Sequence, residues 1–426
     1  MSSQRQFVAD LHVHSRYAYA CSKSLTLANL AAMAKTKGIE LLATGDFTHP
    51  AWLGELEDNL FPVDDGTFEY GGIRFVLGTE ISCVYRQGGK PRRLHLLVFM
   101  SSLQRVRLFN AELSRRGVKL EGDGRPSVGL SAADLMSLAL DVDPGAMVIP
   151  AHLWTPWYGL LGSVSGFDSL EECFGDLTRL VRAVETGLSS DPSMNWDIPG
   201  LENRAILSFS DAHSLPNLGR EVTVFQGNPT YAGLREAVES NAVAYTVEFY
   251  PEEGKYHYDG HRNCGLRQSP QETAAQGSGI CPVCRRPLTL GVLHRVRSLS
   301  TGSAREQGRE AGPGPDGFIR SLDARPPFLR LVPLEELLAE TLGVGRRSKA
   351  VASVYRGLCA ELGNELAVLA WSDDADLRRV AGETVAEAIM RARTGQVVAE
   401  PGFDGQYGTV RVWAEPQGDV SQAPLF

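Results

Sequence analysis

The chain has 426 residues, 43% of them hydrophobic, and its formal net charge at pH 7 is −9. No run approaches the ~20 apolar residues of a membrane span, and the first residues contain no apolar signal-peptide core, so we expect neither a membrane protein nor a secreted one. A soluble, cytoplasmic protein of two or three domains is predicted. The seven cysteines, an odd number, argue against a disulfide framework.

Residues 1–250 alternate β-rich runs with helical patterns such as 26–37 and 131–140. The predicted strands lie in the runs 7–14, 39–46, 73–82, 93–100, 146–153, 180–187, 205–213 and 221–227. Strands that alternate with helices indicate parallel βαβ units. Seven or eight such strands fit an α/β barrel of the TIM type or a variant of it, and an open doubly wound sheet is the alternative.

Side chains of metal-binding type fall in or just after these predicted strands. Because residues i and i+2 of a strand face the same side, His12 and His14 of "ADLHVHS" can point together at one ion. Active sites of parallel barrels collect at the C-terminal strand ends, so we expect one rim to hold the whole set. The set is His12, His14, Asp46, His49, Glu80, His95, His152, Asp211 and His213.

Residues 251–297 have the spacing of a zinc-binding module. Cys281 and Cys284 are separated by two residues, and His261 and Cys264 have the same spacing. Two such pairs some 16 residues apart match a structural zinc site. His257 competes with His261 as the fourth ligand.

The C-terminal part is predicted to contain a linker at 298–330, a helical domain at 331–412 and a tail at 413–426. A glycine turn, "GVGRR", separates two of the helices and can offer backbone N–H groups to a phosphate. Basic residues follow at once: Arg346, Arg347 and Lys349. An ordinary helix end with exposed basic residues is the alternative.

The basic residues are concentrated in one part of the chain. Residues 254–356 carry sixteen Lys or Arg against nine Asp or Glu, an excess of +7, which leaves −16 on the remainder. A basic module on an acidic body indicates binding to a polyanion more strongly than the total charge suggests. Basic residues scattered over a solvated face are the alternative.

The ordered motifs "ADLHVHS", "TGDFTHP", "GTE", "LHLL", "PAHLW" and "SDAHS" resemble those of the PHP (polymerase and histidinol phosphatase) superfamily. That resemblance implies a distorted (β/α)7 barrel with up to three metal ions. Longer strings, among them "KYHYDGHRNCG", "GICPVC", "RPPFLRLVPL" and "EPGFDGQYGTV", resemble endonuclease Q from about residue 8 to residue 412.

The endonuclease Q resemblance implies a nucleoid-associated DNA repair enzyme. Such an enzyme uses a metal-activated water to nick double-stranded DNA on the 5′ side of deaminated bases (hypoxanthine, uracil, xanthine) and abasic sites. Many PHP proteins have a further histidine shortly after the H-x-H pair, where this chain reads "RYAYACS". A third metal position would therefore have to rest on other ligands.

The resemblance also implies a set of ligands for each ion. A first divalent ion would be held by His12, His14, Glu80 and Asp211. A second would share Glu80 and add His95 and His152. A third would use His213 with His49 or Asp46, unless Asp46 instead orients a ligand histidine. The implied catalytic residues are Asp211, His213, Glu80 and His49. The ions would be Zn, Mn, Fe or Mg, and mixed His and carboxylate ligands suit the first three, or Co, better than Mg alone.

Recognition of a deaminated base in a duplex requires the base to be flipped out, because pairing hides its Watson–Crick edge. Trp154, Trp157 and Tyr158 follow the predicted ligand His152 and could form a stacking wall, or they could simply pack the loop. Arginines of the zinc module are predicted phosphate contacts. They are Arg285, Arg286, Arg295 and Arg297.

Two other functions stay open from the sequence. One is a PHP phosphatase for a small phosphomonoester, for which the +7 extension has no evident use. The other is a helicase-associated DNA-binding scaffold with a vestigial metal site, against which the complete set of rim residues argues. The last five residues, from Gln422 to Phe426, resemble the Gln-x-x-Leu-Phe peptides that bind a DNA sliding clamp, and they predict that partner.

Overall fold

The structure is a computed structural model that describes residues 5–302 and 312–413. The strands, β1 to β17 in chain order, are Gln6–Asp10, Leu41–Ala43, Phe61–Asp64, Thr67–Tyr70, Ile73–Gln87, Lys90–Met100, Ser127–Val128, Met147–Pro150, Ala183–Glu185, Ala205–Leu207, Val222–Gln226, Val243–Glu248, Asp259–His261, Leu266–Gln268, Phe328–Arg330, Val398–Glu400 and Thr409–Arg411. The helices, α1 to α13, are Leu27–Lys37, Pro50–Asn59, Leu103–Arg115, Ala132–Val142, Leu170–Phe174, Pro192–Asn195, Tyr231–Glu239, Pro270–Ala275, Val292–Leu299, Leu334–Leu342, Lys349–Leu362, Asp374–Ala381 and Glu383–Arg393. None of the described helices combines the length and the apolar character that crossing a membrane requires.

Seven strands form a distorted barrel, which confirms the predicted α/β fold class and excludes the open sheet. β1, β2 and β5 are parallel neighbours, β6 joins β5 to β8, and β9 and β10 form a parallel pair. The β9–β10 pair is joined to the other strands by backbone hydrogen bonds on both sides. After β8, the Leu153 N–H donates to the carbonyl of Glu185 in β9 at 3.0 Å, and after β1, the His14 N–H donates to the carbonyl of Ala212, which follows β10, at 3.4 Å. The residues that follow β1, β8, β9 and β10 therefore lie side by side.

The sheet is mixed, so the prediction of parallel units was wrong for part of it. β6 runs antiparallel to both β5 and β8, and β11 runs antiparallel to β1 and β12. Gly88 and Gly89 have φ of +58° and +77°, and they form the two-residue turn that folds β6 directly back on β5. His95 therefore enters the site from the middle of a long strand, opposite Ser82, and not from a strand's C-terminal end.

The barrel core is apolar between the strands and the surrounding helices. α1 shows how the sequence sets this packing: the Thr26 hydroxyl accepts the Asn29 N–H at the helix start, and Gly38 ends the helix at φ +90°. Between these caps Leu30 and Ala34 are fully buried against the sheet. Helices held from both ends in this way fix the strand ends that carry the polar residues.

Four helices near the C-terminus pack together: α10 contacts α11, α12 contacts α13, and the two pairs contact each other. Part of the predicted linker 298–330 is ordered, because β15 joins the main sheet beside β12. Residues 303–311 of that linker lie outside the described residues, as does the predicted tail after Trp413. The boundaries of the predicted domains stay predictions.

A buried ion pair joins the barrel to these helices. Lys37 Nζ lies 2.6 Å from Glu365 Oε2, and the two side chains are 4% and 7% exposed. The Tyr355 hydroxyl donates to the same oxygen at 2.6 Å, and Lys37 also donates to the Pro216 carbonyl at 3.1 Å. Removing one partner of such a pair leaves an uncompensated buried charge, which typically costs about 3–5 kcal/mol.

We expect Lys37→Met to lower the free energy of unfolding by about 3–5 kcal/mol, measured by urea denaturation. Adding Glu365→Gln should recover part of the loss, because it removes the isolated carboxylate. Lys35 lies on the same helix but is exposed, so Lys35→Met should stay within about 0.5 kcal/mol of wild type. If Lys37→Met and Lys35→Met lowered the free energy of unfolding equally, the buried pair would not be what holds the helices on the barrel.

Candidate metal centre

The barrel brings metal-type side chains together in three overlapping groups. Within each group, one nitrogen or oxygen atom per residue lies within 4.8 Å of the others. The groups are His12, His14 and Glu80; Glu80, His95 and His152; and His14, Asp211 and His213. Since Glu80 and His14 each belong to two groups, the three form one continuous cluster.

Glu80 lies at the centre of the cluster and is 2% exposed. Its Oε1 is 2.6 Å from His95 Nδ1 and 3.0 Å from His152 Nε2. The same oxygen is 3.6 Å from His12 Nε2, and Oε2 is 3.4 Å from His14 Nε2. One carboxylate thus faces four imidazoles, which is the arrangement of a bridging ligand.

Asp211 faces the other side of the same histidines. Its Oδ1 lies 3.4 Å from His12 Nε2 and 3.2 Å from His14 Nε2. His213 lies 3.4 Å from that oxygen through Nδ1, and its side chain is 32% exposed. The cluster therefore opens to solvent at Asp211 and His213, whereas the histidines on the Glu80 side are buried.

The imidazoles are oriented by carboxylates behind them. His12 Nδ1 lies 2.9 Å from Glu185 Oε1, and His14 Nδ1 lies 3.0 Å from Asp46 Oδ1. Such carboxylates fix the tautomer, so that Nε2 of each ring is the atom presented to the centre. His12 Nε2 is buried without a hydrogen-bond partner among the described residues, as a metal ligand requires.

Two predicted ligands, Asp46 and His49, lie outside the three groups. Asp46 uses both oxygens elsewhere, one on His14 and the other on the Ser15 N–H at 2.6 Å, so it orients a ligand. His49 lies outside the three groups, since its Nε2 is 3.2 Å from the Glu121 carbonyl and its ring stacks on Tyr17 at 4.4 Å. Asp46 therefore fits the alternative role of orienting a ligand histidine. His49 has a buried Nδ1 without a hydrogen-bond partner among the described residues, so its role as a metal ligand and catalytic residue stays a prediction.

The backbone is strained where it presents these side chains. Asp46, His152 and Asp211 have φ of +48°, +28° and +46°, a region that costs a non-glycine residue about 1–3 kcal/mol. Gly187, at φ +61°, passes so close to His152 that a Cβ on it would lie 2.4 Å from the histidine Cβ. Tight turns at the strand ends thus hold the polar side chains in place.

The charges of the cluster favour cations. Burial opposes ionisation of Glu80, but the histidines around it hold its pKa well below the ordinary range. The pKa of Asp211 is lowered in the same way against its burial, chiefly by His12. Burial lowers the pKa of His95 to about 4, whereas Asp46 and Asp211 raise that of His14 to about 10 despite its burial. Both central carboxylates are therefore anionic at neutral pH.

The donor set fits a metal centre. Buried imidazole nitrogens with two shared carboxylates are ligands for divalent ions of the Zn, Mn or Fe type, and the overlapping His and Glu groups suggest more than one ion. Glu185 was not predicted as a site residue, although an acidic residue at the end of a buried strand, in "AVETG", was a usable signal. Arg125 was not predicted either, and its Nη1 lies 3.1 Å from Glu80 Oε2.

We expect Glu185→Gln to weaken metal binding about 10- to 100-fold, because Gln can no longer hold His12 as a charged acceptor does. Titration of chelator-stripped protein with Mn²⁺ or Zn²⁺ measures this effect. Glu202→Gln, an exposed change nearby in the sequence, is the matched control. Unchanged affinity in Glu185→Gln would mean that the orientation of His12 does not depend on this carboxylate.

A second ligand group lies outside the barrel. It contains His261, Cys264, Cys281 and Cys284. Cys284 Sγ lies 3.5 Å from His261 Nδ1, whereas the competing His257 is outside the group and stacks on Tyr258. Three thiols and one imidazole suggest a structural zinc site.

The predicted stacking residues have different surroundings. Trp154 is 1% exposed, and its Nε1 donates to Asn195 at 2.8 Å, so the alternative in which it packs the loop fits and stacking on DNA does not. Tyr158 packs against His95 with the ring centroids 4.5 Å apart. Trp157 is 37% exposed beside Tyr256 and is accessible to a base.

The basic residues predicted to contact phosphates differ in exposure. Arg295 donates to the Leu161 and Phe167 carbonyls and pairs with Asp168, so its guanidinium anchors α9 to the barrel. Arg346 is bound by two glutamates of α10. Arg297 is half-buried. The exposed members are Arg285, Arg286, Arg347 and Lys349.

A distorted α/β barrel that gathers a buried His and carboxylate cluster defines the class of metal-dependent hydrolases. The chain matches the lesion-specific endonuclease PfuEndoQ of Pyrococcus furiosus with 31% identity over 96% of both chains and a TM-score of 0.82. It matches an endonuclease Q bound to a 27-mer duplex with an abasic lesion at the active site with 32% identity, 96% and 98% coverage and a TM-score of 0.82. The chain therefore belongs to the endonuclease Q family.

Other known proteins match different parts of the chain. A family model for the MJ0043 C-terminal domain matches residues 333–396, which contain the four C-terminal helices. The Bacillus subtilis protein YqxK is 29% identical over 427 residues, 96% of this chain and 100% of its own. The Methanocaldococcus jannaschii protein MJ0043 is 32% identical over 267 residues, 61% of this chain, and this chain spans only 31% of its length.

Proposed function

We propose that the protein is a DNA repair endonuclease that nicks duplex DNA on the 5′ side of a lesion. The lesions are abasic sites and deaminated bases: hypoxanthine, uracil and xanthine. The observation that carries this proposal is the continuous cluster around Glu80 in a member of the endonuclease Q family. The related structure with an abasic duplex at its active site supports lesion-containing DNA as the substrate.

Each ligand group is proposed to hold one divalent ion, the third group being His14, Asp211 and His213. When bound, such ions supply Lewis-acid activation of water and neutralise charge on the phosphate. Asp46 and Glu185 keep the histidine tautomers that present Nε2 to the centre. His213 lies at the open side with Nδ1 2.9 Å from the Asp211 carbonyl, so as a member of the third group it would hold its ion at the solvent-facing edge of the cluster.

The exposed basic residues are proposed to bind the DNA backbone. Arg285 and Arg286 lie on the zinc module, and Arg347 and Lys349 lie at the turn between α10 and α11. Each phosphate contact should steepen the salt dependence of binding by about one unit of slope. Trp157 is proposed to stack on a base near the lesion, since its ring remains partly open to solvent.

The test is incubation with 5′-labelled duplexes that carry an abasic site, hypoxanthine, uracil, xanthine or no lesion. Nicks on the 5′ side of the lesions and an intact control duplex support the proposal. Hydrolysis of p-nitrophenyl phosphate without nicking would favour the phosphatase, and binding without nicking in the presence of Mn²⁺ would favour the scaffold.

Residues 422–426, which resemble clamp-binding peptides, lie outside the described residues. We propose that they recruit the enzyme to a DNA sliding clamp, because burial of Leu425 and Phe426 in a partner's pocket would contribute roughly 1.5–3 kcal/mol each. Titration of the full chain and of a 1–420 truncation against the clamp of the same source tests this. Equal binding, or no binding by either, contradicts it.

A further inference from the structure

Arg125 is an arginine placed directly on the metal cluster. Its Nη1 lies 3.1 Å from Glu80 Oε2, and its side chain is 23% exposed, so one side faces the ligands and the other faces solvent. Among the described residues, no other arginine or lysine pairs with a carboxylate of the three ligand groups. A permanent cation is thus built into a site whose other charges attract cations.

The backbone around Arg125 is held in place by several bonds. Asp123 Oδ1 accepts the N–H groups of Arg125, at 3.1 Å, and of Tyr19, at 2.9 Å. The Gly124 carbonyl accepts the Thr48 hydroxyl at 3.0 Å. A Cβ on Gly124 would lie 2.6 Å from Asp46 Cγ, so only glycine fits there.

His49 takes part in the same support. Its Nε2 lies 3.2 Å from the Glu121 carbonyl, four residues before Arg125. His49 therefore helps to fasten the loop that carries the arginine. The turn after β2 and the loop before β7 together fix where the guanidinium can reach.

We infer that Arg125 binds the scissile phosphate of the DNA. Glu80 already has nitrogen atoms of four histidines within 3.6 Å, so Arg125 is an additional contact on a carboxylate that is surrounded without it. A cation next to a metal ligand opposes metal binding, but it complements the negative charge of a phosphodiester that enters the same site. A guanidinium offers a planar fork of donors for phosphate oxygens, and it stabilises the charge that grows on them during cleavage.

This inference rests on the proposed nuclease function and adds a catalytic residue to it. The competing role is structural, in which Arg125 merely holds Glu80 in position. The two roles differ in what else changes on mutation: loss of a structural support lowers metal content, whereas loss of a phosphate ligand does not.

The test uses metal-loaded full-length Arg125→Gln and Arg125→Lys. We expect metal content and thermal stability to match wild type, the nicking rate of Arg125→Gln on an abasic duplex to fall about 10²- to 10³-fold, and Arg125→Lys to recover part of it. Inorganic phosphate, as a probe of the same site, should bind the Gln variant at least tenfold more weakly by calorimetry. The control is Arg107→Gln, which removes an exposed arginine of α3 that pairs with Glu57 of α2.

Loss of metal from Arg125→Gln, with nicking restored by excess metal, would overturn the inference in favour of the structural role. Wild-type nicking and wild-type phosphate affinity in that variant would also overturn it. If the wild-type protein nicks none of the duplexes, the proposed function fails, and the calorimetry still decides whether Arg125 binds phosphate.

Discussion

We expect Glu80→Gln to lower the proposed nicking of an abasic duplex by about a thousandfold or more while the barrel stays folded. The side chain faces His12, His14, His95 and His152, so its charge is shared by two of the three ligand groups. Divalent ions in such sites supply several kcal/mol of transition-state stabilisation, and about 4 kcal/mol corresponds to a thousandfold in rate. The Gln amide keeps the shape of the Glu80 carboxylate but removes the negative charge with which this side chain can bind ions in both of its ligand groups.

The measurement is the single-turnover nicking rate with saturating enzyme, together with metal content per chain. Glu69→Gln is the matched control, because Glu69 is exposed on β4 of the same sheet. Its rate should equal that of wild type. A Glu80→Gln rate within tenfold of wild type would show that this carboxylate does not hold the catalytic ions.

Cys281→Ser is expected to release one zinc ion per chain and to unfold the module around it. Cys281 is fully buried, and its thiol belongs to the group with His261, Cys264 and Cys284. A structural zinc contributes folding free energy directly, about 10–16 kcal/mol in small zinc-binding peptides, and a hydroxyl is a poor substitute for a thiolate. The short β13–β14 hairpin and α8 have little core of their own, so they depend on the ion.

Elemental analysis of purified protein and limited proteolysis within residues 251–297 measure these effects. Cys359→Ser is the control, because Cys359 is a buried thiol of α11 outside the zinc group. The barrel metals should remain in both variants. Unchanged zinc content in Cys281→Ser would refute the site.

Much of the fold could be predicted because burial leaves a periodic pattern. The eight predicted strand runs each overlap one of the strands β1, β2, β5, β6, β8, β9, β10 or β11. The alternation of His12 and His14 correctly indicated two imidazoles on one side of the chain. The direction of β6 was missed, although the Gly88–Gly89 pair between two strand patterns was a recognisable hairpin signal.

The site was harder to predict, because ligands and the residues that orient them are of the same types. Asp46 and Asp211 both follow strands, so the sequence does not tell the orienting residue from the ligand. The structure does, because the second oxygen of Asp46 accepts the Ser15 N–H. The role of Trp154 stayed open because a buried indole and a stacking indole look alike in sequence. Arg125 lies in a loop without periodicity, so only the folded chain brings it to Glu80.

The most direct test of a metal-dependent, lesion-specific nuclease is the nicking rate of one protein preparation in two states. The chelator-stripped protein and the same protein reconstituted with Mn²⁺ or Zn²⁺ are incubated with an abasic duplex and with its undamaged counterpart. We predict nicking only by the reconstituted protein, only in the strand with the lesion and on its 5′ side. Equal nicking of both duplexes, or nicking that survives complete removal of metal, would contradict the account.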